Sequence, residues 1–189
     1  RSIAKETGER NLCLAGGVAL NCVANGILLR EKIFDKIWIQ PAAGDAGGAL
    51  GAALSTWYLH HKNVRKKPIQ GDAMKGAFLG PKFCDSEIEV DLKNCGAVYK
   101  KLSENDLINE VATALENKKA IGWMQGRMEF GPRSLGGRSI IADPCSSLMQ
   151  KQLNLKVKYR ESFRPFAPSI LREDVTDWFE HDTDSPYML

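Results

Sequence analysis

One pattern appears twice in the first 61 residues and restricts the fold: an apolar strand, a glycine-rich turn and then a helix. The predicted strands are residues 11–15 and 36–40, and the predicted helices are residues 18–30 and 49–61. Successive units of this kind usually form a parallel sheet with ligand sites at the carboxyl ends of its strands. The sequence therefore predicts an α/β fold.

Composition excludes several classes of protein. The 189 residues carry 26 basic and 23 acidic side chains, a net charge of +3 that is too balanced to favour nucleic acid or an anionic membrane surface. No apolar run approaches the ~18 residues that a membrane span needs. The five cysteines are scattered without a CxxC pair, which favours reduced thiols and a cytoplasmic protein. The chain begins without methionine, and we expect it to be part of a longer protein.

A polar, basic stretch after residue 61 indicates a domain boundary. We expect a first domain over residues 1–66, a linker over 67–71 and a second α/β domain over 72–189. The predicted strands of the second domain are residues 77–81, 97–99, 120–125 and 169–171. Its predicted helices are residues 85–93, one capped by Ser103, one capped by Ser146 or Ser147, and residues 174–180.

The two glycine-rich turns are the first candidate site. Gly16, Gly17 and Asn21 open one helix, and glycines at such a place let a phosphate approach free backbone amides. The spacing is neither that of a dinucleotide-binding fold nor that of a P-loop, so a simple tight turn remains an equal alternative. In the second turn, Asp45 is interpreted either as a helix cap or as a ligand of a metal or magnesium phosphate.

Five arginines between residues 126 and 168 form the second candidate site. They are Arg127, Arg133, Arg138, Arg160 and Arg164. Arginine donates bidentately to phosphate or carboxylate oxygens, so the cluster favours an anion site. The alternative is a lattice in which Glu129, Asp143 and Glu161 neutralise the arginines and hold the loops together.

Lys158 and Ser139 extend the arginine cluster. In an extended chain, Lys158 and Arg160 would point to the same face, and Ser139 would add a hydroxyl beside Arg138. No histidine is close in sequence to Ser139, which makes a nucleophilic relay improbable.

The residues resemble those of the carboxyl-terminal part of NodU/CmcH-type O-carbamoyltransferases. Four stretches carry the resemblance, in order and with similar spacing: residues 16–25, 44–53, 122–144 and 153–168. Ser134 and Gly137 depart from the family, which usually has alanine and asparagine there.

The resemblance implies an end piece of an actin-like ATPase (ASKHA) domain in residues 1–66, followed by a YrdC-like domain with a twisted open sheet. In this family carbamoyl phosphate and ATP give carbamoyl adenylate and pyrophosphate, and the carbamoyl group then passes to a hydroxyl of a small acceptor. The resemblance implies ATP, a divalent metal (Fe or Mg) in the full-length protein, and carbamoyl phosphate as co-substrate. The implied partners are the acceptor and an absent amino-terminal half of the same chain, without nucleic acid or membrane. Alone, the chain is not expected to complete the reaction.

Site roles follow from the same resemblance. Lys158, Arg160, Arg164 and Ser139 are the implied catalytic residues, and Asp45 is the implied metal ligand. The implied cofactor-binding residues are Gly16, Gly17, Asn21, Gly47, Gly48, Arg127, Arg133 and Arg138, the last two on the wall of the YrdC-like pocket opposite Lys158.

Two other functions remain open at this point. The glycine-rich turns alone would also suit a fragment of an ASKHA-type kinase or ATPase. The same arginines would also suit a non-catalytic module that binds nucleotide or carbamoyl phosphate.

Overall fold

A computed structural model describes residues 1–66, 72–181 and 183–189. The chain forms two compact units. Unit 1 comprises Arg1–Gly80, Arg127–Leu135 and Ser185–Leu189, and unit 2 comprises Pro81–Gly126 and Gly136–Asp184. The predicted linker, residues 67–71, lies outside the described residues, and the predicted domain limits stay predictions.

Unit 1 contains the parallel pairing that the repeated pattern predicts. Its regular elements are α1 (Ser2–Thr7), β1 (Asn11–Leu14), α2 (Cys22–Arg30), β2 (Lys36–Ile39) and α3 (Asp45–Ser55). β1 and β2 pair in parallel, from Asn11 beside Lys36 to Leu14 beside Ile39. This confirms the α/β class, because two parallel strands are joined by a helix.

Three boundaries in unit 1 differ from the prediction. The predicted helix over 18–30 is divided into a single turn, Gly17–Leu20, and α2. α3 begins at Asp45 rather than at residue 49 and continues through a wider helical turn, Thr56–His60. Where a strand was predicted over 77–81, the described backbone has a helical turn at Lys75–Ala77.

Unit 2 is built from short elements. They are α4 (Asp85–Asn94), α5 (Glu104–Glu116), β3 (Ile121–Met124), β4 (Arg138–Ile141), α6 (Met149–Gln152) and α7 (Val175–Trp178). β3 and β4 pair antiparallel, with Ile121 beside Ile141 and Met124 beside Arg138. Ser103 caps α5 as predicted, since its Oγ atom accepts a hydrogen bond of 3.2 Å from the amide of Asp106.

The predictions for unit 2 fail mainly at its strands. The described residues form no strand over 97–99 or 169–171, and β4 was not predicted. α6 begins at Met149, whose amide donates to the backbone oxygen of Ser146 rather than to a serine hydroxyl. The predicted helix over 174–180 is the shorter α7, preceded by a turn at Arg172–Asp174.

The buried centre of unit 1 lies at its turns. Its buried apolar side chains include Ala19, just before α2, and Ala42 and Ala43, between β2 and α3. In unit 2, Met149 and Leu153 are buried on and just after α6. Both candidate sites therefore adjoin the best-packed parts of their units. No helix within the described ranges is long and apolar enough to cross a bilayer.

Candidate functional site

The two glycine-rich turns of unit 1 are in direct contact. They follow β1 and β2, whose carboxyl ends lie at one edge because the strands are parallel. The amide of Gly16 donates a hydrogen bond of 2.9 Å to the oxygen of Ala43. A Cβ atom added to Gly44 would lie 3.7 Å from Cδ1 of Leu20. The turns thus form one surface, as the sequence predicts, although the amide of Gly16 is already used in joining them.

The glycines on this surface have different physical roles. A Cβ atom on Gly47 would collide with the backbone oxygen of Ala42, so packing alone requires glycine there. A Cβ atom on Gly16, Gly17 or Gly48 would meet no described atom within 4 Å. These three positions leave room for a ligand, whereas Gly47 serves the contact between turn and helix.

Asn21 and Asp45 take different places at their helices. The Oδ1 atom of Asn21 accepts a hydrogen bond of 3.2 Å from the amide of Ala24 and so caps α2. Asp45 is exposed and is the first residue of α3, while Gly44 occupies the cap position. The interpretation of Asp45 as a helix cap is therefore wrong, although its charge is favourable in the first turn.

The described residues do not complete a metal site around Asp45. They contain no group of three histidine, cysteine, aspartate or glutamate side chains placed to hold an ion. One exposed carboxylate provides too few ligands for iron or magnesium. Asp45 by itself therefore does not define a metal centre in the described part of the chain.

The first arginines of the cluster belong to unit 1. Arg127 donates through Nη1 to the oxygen of Gly80 at 2.8 Å, and Arg133 donates through Nη2 to the oxygen of Leu20 at 2.7 Å. Between them, Glu129 is only 4% exposed, and its Oε1 atom accepts a hydrogen bond of 2.6 Å from the amide of Leu135. Both guanidinium groups thus hold backbone carbonyls of the unit that contains the glycine-rich turns.

Arg138 and Ser139 lie on β4 of unit 2. Ser139 is beside Trp123 in the sheet, and its Oγ atom accepts a hydrogen bond of 3.2 Å from the amide of Gly136. The hydroxyl oxygen of Ser139 therefore fixes the turn that leads into β4. Its role as a catalytic residue stays a prediction.

One buried side chain organises the basic segment of unit 2. Asn154 has no solvent exposure, and its Nδ2 atom donates to the oxygens of Ser162 and Arg164 at 3.1 and 2.8 Å. Its Oδ1 atom accepts a hydrogen bond of 2.6 Å from Nε of Arg160, whose own amide donates to the backbone oxygen of Asn154 at 2.9 Å. Gln150 adds bonds to the oxygens of Phe163 and Arg164 at 3.0 and 3.1 Å. Residues 158–164 therefore form a loop wound around Asn154.

The three predicted basic residues stand on this loop in different surroundings. The guanidinium group of Arg160 lies 4.9 Å from the ring centre of Phe166. Arg164 forms an exposed ion pair of 2.8 Å with Glu161. Lys158 is exposed. The expectation that Lys158 and Arg160 point to the same face of an extended chain is wrong, because Tyr159 between them has a left-handed backbone with φ of 49°.

One pair of the predicted lattice of arginines and carboxylates is seen directly, that of Arg164 with Glu161. Arg164 pairs with a carboxylate, whereas Arg127 and Arg133 bind backbone oxygens and Arg160 binds an amide oxygen. Sequence reasoning missed Asn154 as the support of this cluster. A signal was available, since Asn154 is a polar residue directly after the apolar Leu153 in a stretch otherwise read as a packed helix.

Two surface depressions of unit 2 are separate from the predicted site residues. One of about 450 Å³ is lined by Phe83, Ser86, Glu87, Val90 and Asp91. The other, of about 580 Å³, lies beside α5. Neither is lined by a residue that the sequence analysis selected, and both are open to solvent, so we assign them no ligand.

Comparison with protein families gives two matches in order along the chain. Residues 1–54 match the family model described as carbamoyltransferase N-terminus, and residues 112–189 match the one described as carbamoyltransferase C-terminus. The second match contains both the arginine segment of unit 1 and the loop around Asn154.

Curated relatives agree with these matches. The chain is 61% identical over its whole length to an uncharacterized protein of Synechocystis sp., of which it covers 31%. It is 44% identical to nodulation protein NolO of Bradyrhizobium diazoefficiens, with 93% of the chain and 31% of the relative covered. It is 39% identical to nodulation protein U of Rhizobium tropici, with 96% of the chain and 29% of the relative covered. The chain thus spans about 30% of the length of these relatives.

Proposed function

The chain belongs to the carbamoyltransferase family, and from this we propose that it forms part of an ATP-dependent O-carbamoyltransferase. In the proposed reaction, carbamoyl phosphate, ATP and water give carbamoyl adenylate, pyrophosphate and phosphate. The carbamoyl group then passes to the hydroxyl of a small acceptor, with release of AMP. The chain would act together with an amino-terminal part of a longer protein, since it spans about 30% of the length of its relatives.

The loop wound around Asn154 is the observation that carries the proposal. It presents Lys158, Arg160 and Arg164 within seven residues, and Asn154 bonds the backbone or side chain of both arginines. Because the loop is fixed from its buried side, the cost of ordering it is met on folding rather than on binding. It lies in the segment that matches the carboxyl-terminal family model.

The chemistry of the loop suits a small phosphorylated ligand. Transfer of carbamoyl and adenylyl groups needs reactants that are positioned and phosphate charge that is neutralised. Arg160 retains its Nη donors while Asn154 and Phe166 hold the plane of its guanidinium group. Among the described residues, the side chain of Arg164 is bound by an exposed ion pair with Glu161, which a phosphate oxygen can replace at small cost. We assign carbamoyl phosphate and the phosphates of ATP to this loop.

The finer assignments belong to the same proposal. Unit 1 would represent the end of an ASKHA-like domain with its nucleotide at the glycine-rich turns, and unit 2 the body of a YrdC-like domain. Asp45 would bind iron or magnesium only with further ligands from the remaining part of a longer chain.

Binding of carbamoyl phosphate tests the proposal directly. In calorimetric titrations the parent chain should bind carbamoyl phosphate, and Lys158→Ala should weaken binding about tenfold or more, the value of one charge-assisted hydrogen bond. Lys156→Ala is the matched control, because it removes the same charge from an exposed residue of the same segment. Equal weakening by both substitutions would indicate a general charge effect and would contradict a specific site.

A second assay separates the reaction from the two other functions. In the longer protein, exchange of labelled pyrophosphate into ATP should depend on carbamoyl phosphate and be lost with Lys158→Ala. A kinase, or a module that only binds these ligands, would give no such exchange. Exchange without carbamoyl phosphate would also contradict the proposed order.

A further inference from the structure

The segment that follows α3 is basic and has no acidic residues. No aspartate or glutamate occurs between residues 46 and 66, whereas Lys62, Arg65 and Lys66 lie close together at the end of this range. Their three charges equal the net charge of +3 of the whole chain, so the other residues are neutral in sum. The balance of charge that disfavours an anionic partner for the whole chain therefore does not hold in this segment.

The basic segment is folded back on the end of the helix. α3 continues into the wider helical turn Thr56–His60. The backbone oxygen of Trp57 then accepts hydrogen bonds from the amide and the Nδ2 atom of Asn63, at 3.4 and 3.0 Å. The guanidinium group of Arg65 lies 5.4 Å from the ring centre of Tyr58. Residues 56–66 therefore form one small folded structure, which we call the basic turn.

The basic turn exposes large apolar side chains beside its cations. Trp57 is 56% exposed, Leu59 77% and Val64 83%. Val64 directly follows Asn63, whose bonds to Trp57 bring the returning chain against the helical turn. A single exposed apolar residue is ordinary on a protein surface, but three within eight residues form a patch. The turn thus presents apolar and cationic side chains together.

The charges of unit 1 do not neutralise these cations. A helix carboxyl end carries about half a negative charge, against three positive charges here. None of the three cations forms an ion pair with a described residue. The carboxylate of α3, Asp45, lies about 20 Å away at the other end of the helix, beyond the screening length of about 8 Å. The basic turn therefore presents a local positive charge to solvent.

We propose that the basic turn is a docking surface for the anionic face of a lipid bilayer. Lysine and arginine are attracted to anionic headgroups, and each cation near such a surface is worth about fivefold in affinity. Tryptophan is favoured at the level of the headgroups, and Leu59 and Val64 would enter the boundary of the acyl chains. The contact is peripheral and needs no spanning helix.

Two other partners fit the basic turn less well. Nucleic acid would match its cations, but Leu59 and Val64 have no counterpart along a sugar–phosphate backbone. Another protein, or the remaining part of a longer chain, would cover the apolar side chains. Lysine, however, is depleted at the buried centre of protein interfaces, and here Lys62 and Lys66 flank the apolar residues. A bilayer surface accommodates both kinds of side chain.

Sedimentation with vesicles tests the inference on the chain itself. Vesicles of equal parts phosphatidylglycerol and phosphatidylcholine should bind it at least about tenfold more tightly than vesicles of phosphatidylcholine alone. The triple variant Lys62→Gln, Arg65→Gln, Lys66→Gln should lose this preference, and added salt should weaken binding of the parent. Equal binding to both kinds of vesicle, or no binding to either, would overturn the inference.

A second triple variant is the matched control. Lys82→Gln, Lys93→Gln, Lys119→Gln removes the same charge from exposed positions of unit 2 and should keep the affinity for anionic vesicles within about twofold of the parent. An equal loss in both triple variants would show that binding follows net charge alone, and would overturn a specific surface.

The apolar part of the surface has its own test. Trp57→Ala should weaken binding to anionic vesicles about tenfold, because the half-exposed ring loses its contact with lipid. Trp178→Ala, which removes a ring 75% exposed in unit 2, should leave binding unchanged. Anionic vesicles should also shift the tryptophan emission of the parent to shorter wavelength, and Trp57→Phe should remove most of this shift. An unchanged shift would place the lipid contact elsewhere and overturn the inference.

The remaining outcomes separate the partners. Binding of a short DNA duplex without binding of vesicles would identify nucleic acid and overturn the inference. Vesicle binding by the chain but not by the longer protein would show that the rest of that protein covers the turn, with the same consequence. The inference goes beyond the proposed function and does not rest on it, since binding to vesicles requires neither carbamoyl phosphate nor ATP. Its failure would therefore leave the proposed function as it stands.

Discussion

The Nε atom of Arg160 donates a hydrogen bond of 2.6 Å to Oδ1 of Asn154, a side chain with 0% exposure. The guanidinium group of Arg160 is thus positioned by the buried side-chain amide of Asn154. The other end of the same amide holds the oxygens of Ser162 and Arg164. The position of the basic loop is therefore set by a residue that carries no charge.

Asn154→Ala should destabilise the protein more than most single substitutions. It removes three side-chain hydrogen bonds and takes from the buried side of the loop the donor of the Ser162 oxygen, whereas Gln150 still donates to the oxygen of Arg164. The expected cost is about 2–4 kcal/mol in the free energy of unfolding. Urea unfolding followed by circular dichroism measures the difference. Asn109→Ala, at an exposed position of α5, should change stability by less than about 0.5 kcal/mol. A similar small effect at Asn154 would mean that water replaces its bonds without loss.

The part of the fold that the sequence predicts best is the pair of parallel strands. Apart from Asn11 and Lys36, residues 11–14 and 36–39 are apolar, and both strands are followed by glycine-rich turns, so local pattern and tertiary pairing agree. β4 was missed for the opposite reason. Arg138 and the glycines before it suggest a loop, and only Ile140 and Ile141 favour a strand, so pairing with β3 decides the conformation.

The candidate site was predictable in its residue types but not in its contacts. Arginine, lysine and glycine at these spacings indicate phosphate chemistry. The chain reaches the hydrogen bond between Asn154 and Arg160 through a left-handed backbone at Tyr159. Tyrosine has no intrinsic preference for that conformation, so the sequence does not predict it. The bond between Arg133 and Leu20 joins residues 113 positions apart, a separation that periodicity cannot resolve.

Alanine substitutions at Gly47 and Gly48 should have opposite effects on stability. Both residues lie in the first turns of α3, where alanine is intrinsically better than glycine by up to about 1 kcal/mol. At Gly48 the new Cβ meets no described atom within 4 Å, so the full gain of about 0.5–1 kcal/mol is expected. At Gly47 the collision of the new Cβ with the oxygen of Ala42 should outweigh the gain in helix propensity, for a net loss of about 1–3 kcal/mol in the free energy of unfolding. Denaturant unfolding of the two variants tests this, and a gain at both positions would contradict the close packing of Ala42 on α3.

Gly131→Ala should be more harmful than Gly126→Ala, although both glycines have positive φ angles, 117° and 66°. At Gly126 the new Cβ has no described neighbour within 4 Å, so the cost is the backbone penalty of about 1–2 kcal/mol. At Gly131 the new Cβ would also lie 2.7 Å from Cβ of Ala42, and this overlap should cost about 1–3 kcal/mol more. Unfolding midpoints measured in parallel give the difference. Equal costs at the two positions would show that Gly131 is not packed closely against Ala42 of the second glycine-rich turn.

Tyr187 should make the stability of unit 1 depend on alkaline pH. Its hydroxyl donates to Oδ2 of Asp72 at 2.7 Å and accepts a bond of 3.1 Å from the amide of Gly76. Burial, and then the bond to Asp72, raise the pKa of Tyr187 to about 12, against an ordinary value of 10.0. Since the folded state favours the neutral hydroxyl, its contribution is complete below about pH 10 and is lost as pH rises toward 12.

Tyr187→Phe removes this titration. The variant should unfold at lower temperature than the parent at pH 8, and the gap between the two should narrow steadily from pH 10 to pH 12, since only the parent loses its neutral hydroxyl over that range. Thermal unfolding at intervals of half a pH unit measures the gap. Tyr99→Phe, at an exposed tyrosine of unit 2, should show only a small gap at pH 8, as is usual for surface substitutions. A gap for Tyr187→Phe that stays constant up to pH 12 would mean that the hydroxyl of Tyr187 does not join Asp72 to Gly76 in solution.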